Sequence, residues 1–186
     1  MFREEDATAV AVYFLKRSPE KKLNDLVLMK LMFMAERECM AVTTSLITGA
    51  SFMSMQNGPV LSEVLNLMKG DIGNKFWSQH IEFVPYSGNG TESNHCKLKC
   101  DLDPEDYISQ FDLGILAQVW QQYGSKDKWD LVETTHDFPE WDKTCAETKS
   151  SRPITLQSVY EKGFHKSHEE AKELSDEISY YETVLA

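Results

Sequence analysis

The side chains best suited to chemistry in this sequence are five histidines, four cysteines and one lysine set in an apolar run. His95, Cys96 and Cys100 lie close together, and zinc takes tetrahedral sites built from such nitrogen and sulfur donors. Their surroundings read as a strand, in which Cys96 and Cys100 point to one face and His95 to the other, so ordinary strand residues are the expectation. His165 and His168 stand three apart near a helix start with no carboxylate or thiolate signature beside them, and solvated side chains account for both. His136 precedes Asp137, which suggests a base and its orienting acid. Neighbours in sequence rarely face one another, however, and the chain offers no nucleophile elbow or paired serine signature. A histidine closing the preceding helix is the simpler account. Gly88-Asn89-Gly90 is a lone turn and not a phosphate-binding loop. The residues therefore predict no catalytic site, no cofactor and no metal.

Lys30 is the exception that the composition does not absorb. Between Lys22 and Ala41 the sequence KLNDLVLMKLMFMAERECMA leaves no broad polar face, so this helix must be enclosed by other elements. An ammonium in its middle needs a carboxylate partner or a bound ligand.

The elements that must surround this helix can be read in order. Ala7, Val10, Ala11 and Phe14 recur at helical spacing between Glu4 and Arg17, with acids in the first turn and bases in the last, and predict a one-sided first helix. Ser18-Pro19-Glu20 or Asn24 opens the central helix. VTTSLITG and ASFMSM predict two short strands around Thr48-Gly49-Ala50, with Asn57-Gly58-Pro59 ending the hairpin and starting a helix to Gly70. IEFVPY and HCKLKCDL predict a longer hairpin across residues 87–91. Asp103-Pro104 opens an amphipathic helix carrying Tyr107, Ile108, Phe111, Ile115, Val119, Trp120 and Tyr123 to Gly124, and Ser125 caps a short helix ending at His136. Thr144 to Arg152 reads as loop, followed by helices near 156–162 and 167–184. The expectation is an α+β class, predominantly α-helical: about seven helices and two small β-hairpins around one central buried helix. One domain over 1–186 is expected, with its core at about 5–165 and a C-terminal helix at 166–186.

Hydrophobic residues make up 41% of the 186, enough to bury a core. The start MFREED lacks the basic and apolar parts of a signal peptide, no long apolar run is present, and the cysteines are too few for a disulfide frame, so a cytoplasmic protein with no membrane partner is expected. The net charge of -11 is concentrated in residues 71–150, which hold fifteen acidic against seven basic side chains. Such a middle repels phosphate backbones, making nucleic acid a poor partner, and it suits a basic protein. Of the methionines, Met29, Met32, Met34, Met40 and Met68 are expected to fill the core, while Met53 and Met55 on the short hairpin can serve an adaptable docking surface.

LMKLMFMAERE, ITGASFMSMQNGPVLSEVLNLMKG and KWDLVETTHDFPEW together resemble the Panacea domain, the SocA-like antitoxin family found in bacterial toxin-antitoxin pairs and prophages, over about residues 5–165. The matched positions are Lys30, Leu31, Glu36, Phe52, Gly58, Pro59, Val60, His136, Pro139 and Trp141. Two departures stand out: Met55, where an aromatic or basic residue is frequent in the family, and Glu140, which separates Pro139 from Trp141. The resemblance implies no enzyme but a protein-binding module. It would hold a cognate protein toxin in an inactive complex or deliver it to a protease such as ClpXP; a phage protein binding a host defence protein and a nucleic-acid-binding autoregulator are the alternatives. The partner-binding residues it implies are Lys30, Phe52, Met53, Met55, Gln56, Asn57, Gly58, Pro59, His136 and Trp141.

Overall fold

The computed structural model describes residues 1–70, 75–86, 88 and 93–184. Helix α1 spans Glu4–Arg17, strand β1 Lys22–Asn24 and helix α2 Asp25–Thr43. Strands β2 (Phe52–Met55) and β3 (Gly58–Leu61) lead into α3 (Ser62–Lys69). Helix α4 (Lys75–His80) precedes strands β4 (Ile81–Val84) and β5 (His95–Leu98). Helices α5 (Gln110–Tyr123), α6 (Lys128–His136) and α7 (Thr144–Thr148) follow, then strand β6 (Arg152–Ile154). The chain closes with α8 (Leu156–Ser158), a π-helical turn Val159–Gly163 and α9 (His168–Val184). The strands form two three-stranded antiparallel sheets, ordered β1-β5-β4 and β3-β2-β6. This is a predominantly helical α+β architecture.

The central rod is as the composition demands: every residue from Val27 to Glu36 is buried. Asn24 supplies its cap, its Oδ1 accepting from the amides of Leu26 (3.1 Å) and Val27 (3.3 Å), while Pro19–Lys21 forms only a 3-10 turn. Helix α1 is enclosed too, with Ala7 to Leu15 all buried, although its spacing predicted a single apolar face. Its neighbours α2, α4, β5 and α5 pack around it, and a run of small residues such as Ala7, Ala9 and Ala11 lets them approach from several sides.

The hairpin expected across Thr48-Gly49-Ala50 forms instead across Gln56-Asn57, and Gly58-Pro59-Val60 is its return strand rather than a helix start. Val42 and Thr43 complete α2, and the backbone that follows is already occupied. Arg3 donates to the carbonyls of Leu46 (2.8 Å) and Ile47 (3.0 Å), and Glu36 accepts from the amides of Ile47 and Thr48, both at 2.7 Å, and from the Thr48 hydroxyl. Few groups remain there for a strand ladder. Pro59 is tolerated in β3 because that strand is an edge.

Three further expectations shift. Asp103 caps only the 3-10 turn Pro104–Asp106, and α5 begins under Ser109, whose Oγ accepts from Asp112 N at 3.1 Å. Asp127, not Ser125, caps α6, accepting from Trp129 N at 2.7 Å and Asp130 N at 3.0 Å. The stretch read as loop after Thr144 holds α7 and β6, the latter pairing with β2 as a third strand. The hairpin of β4 and β5 forms as expected and gains β1, while most of its predicted turn, residues 87–91, lies outside the described residues. Among the described residues no helix is long and apolar enough to cross a membrane.

Candidate functional site

Helix α2, the β2-β3 hairpin and the end of α6 meet at one glycine. Gly58 has φ +88°, a conformation that side chains other than glycine's resist, and a Cβ placed there would lie 2.7 Å from both Lys30 Nζ and Thr135 Oγ1 and 3.2 Å from His136 Cδ2. Lys30 is wholly buried, and its Nζ donates to the Pro59 carbonyl at 2.8 Å. Among the described residues no carboxylate lies within 4 Å of it, so an ion pair does not provide the compensation that the sequence calls for. Burial instead lowers its pKa to about 7, which lets the amine shed its charge.

His136 closes α6 and stacks on Trp141, with centroids 3.8 Å apart and planes 4° from parallel. Its ring faces the Gln56 backbone, and its buried Nε2 has no partner among the described residues. Burial, with the charge of Lys30 as the next cause, pushes its pKa below the ordinary histidine value. Trp141 Nε1 donates to the Met55 carbonyl at 3.1 Å, and Asp142 N donates to Ser54 Oγ at 2.9 Å. Phe138 stacks on Phe33, 6.2 Å between centroids, and Arg37 lies against both Phe138 (4.3 Å) and Phe164 (4.8 Å). Arg37 Nε pairs with Glu140 Oε1 at 2.6 Å, the carboxylate being fully enclosed and its Oε2 unpartnered. The segment His136 to Asp142 is thus fastened to α2 through Phe138 and Glu140 and to the hairpin through Trp141 and Asp142.

The expected partner-facing set divides accordingly. Gln56 and Asn57 at the turn are exposed, and Met53, Met55, His136 and Trp141 are half-buried at its flank. Lys30, Phe52, Gly58 and Pro59 are buried beneath them. Sequence reasoning missed Thr135, Arg37 and Trp129. Trp129 lies seven residues before His136, hence on the same side of α6, and is 55% exposed. Its signal was available, since an amphipathic helix with a tryptophan on its polar side is out of pattern. Nothing marked Arg37 beyond its place where α2 reopens to charge.

The other clusters stay apart. Cys96 is buried, Cys100 is exposed, and His95 pairs opposite Asn24 and Val84 in the sheet. His168 Nδ1 contacts Glu161 Oε1 at 2.6 Å. Among the described residues no three His, Cys, Asp or Glu side chains gather as a metal centre requires.

The family model described as "Antitoxin SocA-like, Panacea domain" matches residues 28–142. That span begins in the first turns of α2 and ends at Asp142, and it contains every residue of the Gly58 junction and the hairpin turn. Neither a curated protein nor a solved structure matches the chain.

Proposed function

Because the chain belongs to the Panacea-domain family of SocA-like antitoxins, we propose that it neutralises a protein toxin by holding it in a direct complex, and that it performs no reaction of its own. The contact face is the Gln56-Asn57 turn with Met53 and Met55, the His136-Trp141 stack beside it, and Trp129 further along α6. Aromatic side chains on a rigid frame suit such a face, since tryptophan concentrates binding energy where water can be excluded. Lys30, Phe52, Gly58 and Pro59 act from beneath by fixing the turn, so binding loses little conformational freedom.

One observation carries this reading: the exposed turn is pinned by groups that have no other evident task. A β-turn needs no tryptophan bonded to its carbonyl and no stacked histidine to exist. The indole and imidazole chemistry is therefore better explained by the rigidity of what they hold. A histidine whose pKa burial lowers and whose ring is stacked on Trp141 also suits support better than proton transfer.

The test is growth rescue. The toxic product of a gene adjacent to this one is expressed with the intact chain or with Gln56→Ala, Asn57→Ala and Trp129→Ala variants, and complex formation is followed by size-exclusion chromatography. Rescue by the intact chain and its loss in the variants, with folding unchanged, is expected. A toxin fully active at saturating antitoxin would overturn the reading. Transfer of the bound toxin to a ClpXP-type protease would show as toxin degradation that depends on this chain, in contrast to stable sequestration.

A further inference from the structure

Helix α9 lies beyond the 28–142 span that the family model matches, and its outer side has no structural task. Only Ala171 and Ile178 of its residues are buried, with Leu174 packed on the core between them, and Glu182 fastens its end to the terminal amine of Met1 and to Arg3 at 2.9 Å. The opposite side carries apolar surface into water. Tyr180 is 64% and Val184 60% exposed, while Tyr181, seven residues after Leu174 and 47% exposed, borders the packed side with its ring edge to face against that of Tyr180, 5.8 Å apart. Tyr180 and Val184 share a helical stripe with Glu169, Glu173, Asp176 and Glu177, all four exposed. Among the described residues none of these four has a basic group within 4 Å, and His168 at the start of α9 is already engaged with Glu161.

We infer that this aromatic outer face of α9 is a second docking surface, and that its occupant is a patch of lysine and arginine side chains on the protein that the antitoxin binds. Charge selects the occupant. A second copy of this chain would bring net charge -11 against the same carboxylates, and nucleic acid or an anionic membrane would likewise be repelled. A basic protein surface neutralises the unpaired acids, while Tyr180, flanked by Tyr181, supplies amphipathic contact area of the kind that anchors interfaces, and arginine also packs on its face. The inference rests on the reading that this chain binds a protein, and it adds what that protein must present.

The experiment replaces Tyr180 with the photo-crosslinking residue p-benzoylphenylalanine in the full-length chain, in cells, with Phe111 (56% exposed, on α5) as the control position. Crosslinked peptides are sequenced by mass spectrometry. Expected is one partner protein joined through a segment flanked by Lys and Arg, with a yield that falls about tenfold when Glu173→Gln, Asp176→Asn and Glu177→Gln are added. No crosslink above the control, crosslinking to a second copy, or a yield unmoved by the neutralised acids would overturn it. The rescue assay separates the two proposals. If the intact chain protects against the toxin and the neutralised α9 variant protects equally well, only the α9 inference fails; if the intact chain gives no protection, the neutralisation reading fails.

Discussion

The rings of His136 and Trp141 lie nearly parallel, 3.8 Å apart, beside one turn, to which Trp141 Nε1 is tied by its hydrogen bond to the Met55 carbonyl at 3.1 Å. The stack is therefore a clamp on an exposed loop. Trp141→Phe keeps the stack but loses the hydrogen bond and should cost about 1 kcal/mol of stability. Trp141→Ala also loses the stack and its buried area, and about 3 kcal/mol is expected. Amide hydrogen exchange at Gln56 and Asn57 should quicken in both, and toxin affinity should fall in the same order.

Gly58→Ala is expected to be more damaging than its size suggests. The added methyl meets Lys30 Nζ and Thr135 Oγ1 at 2.7 Å, and φ +88° opposes any Cβ. Strain and overpacking together should cost about 3 kcal/mol or more, read as a lowered denaturation midpoint. Gly70 has a similar φ of +74° with nothing among the described residues within 4 Å of its Cβ position, so Gly70→Ala should suffer backbone strain alone, about 1 kcal/mol.

Lys30 gives a pH signature of defined sign. Its folded pKa is lowered to about 7, whereas the unfolded lysine titrates near 10.5. Between those values the unfolded chain binds more protons, so stability contributed by Lys30 rises with pH and is lost as pH falls toward 7. The slope approaches about 1.4 kcal/mol per pH unit in that window. Lys30→Met removes the slope, because no proton is taken up, although the Pro59 carbonyl loses its donor. Denaturant titrations of both proteins at intervals across the window between those two pKa values would reveal the difference, and equal slopes would refute the assignment.

The central rod, the cap at Asn24, the pairing of β4 with β5 and the core methionines were legible because each rests on local composition: an apolar run, a capping side chain, alternating strands. The first hairpin was misplaced because its register is decided at a distance. Arg3 and Glu36 take up the backbone of residues 46–48, and no property of that segment announces side-chain partners on α2 and at the start of the chain. The site was half legible for the same reason. Gly58, Pro59, His136 and Trp141 stood out through the family phrases, but their convergence on Lys30 and Thr135 depends on how α2 and α6 cross the hairpin. Glu140 illustrates the limit best: it reads as an interruption between Pro139 and Trp141, yet it turns inward to Arg37.

That inward turn yields the last prediction. The Glu140 side chain is fully enclosed and Arg37 only 12% exposed, held between Phe138 and Phe164. Removing one partner strands the other charge, so Arg37→Ala should cost about 3–5 kcal/mol. Glu140→Ala should cost as much, leaving a guanidinium between two rings without its anion. Replacing both by apolar side chains, Arg37→Met with Glu140→Leu, removes both desolvation costs and should lie closer to the intact protein than either single variant. The unpartnered Glu140 Oε2 points the same way, because a buried carboxylate oxygen without a hydrogen-bond donor adds to the cost of enclosing the pair. A double-mutant cycle whose single variants are Arg37→Met and Glu140→Leu, followed by thermal or urea denaturation, measures the coupling. If the double variant is as unstable as the sum of the singles, the pair is not what fastens residues 138–142 to α2, and the rigidity assigned to the hairpin face must come from the Trp141 clamp alone.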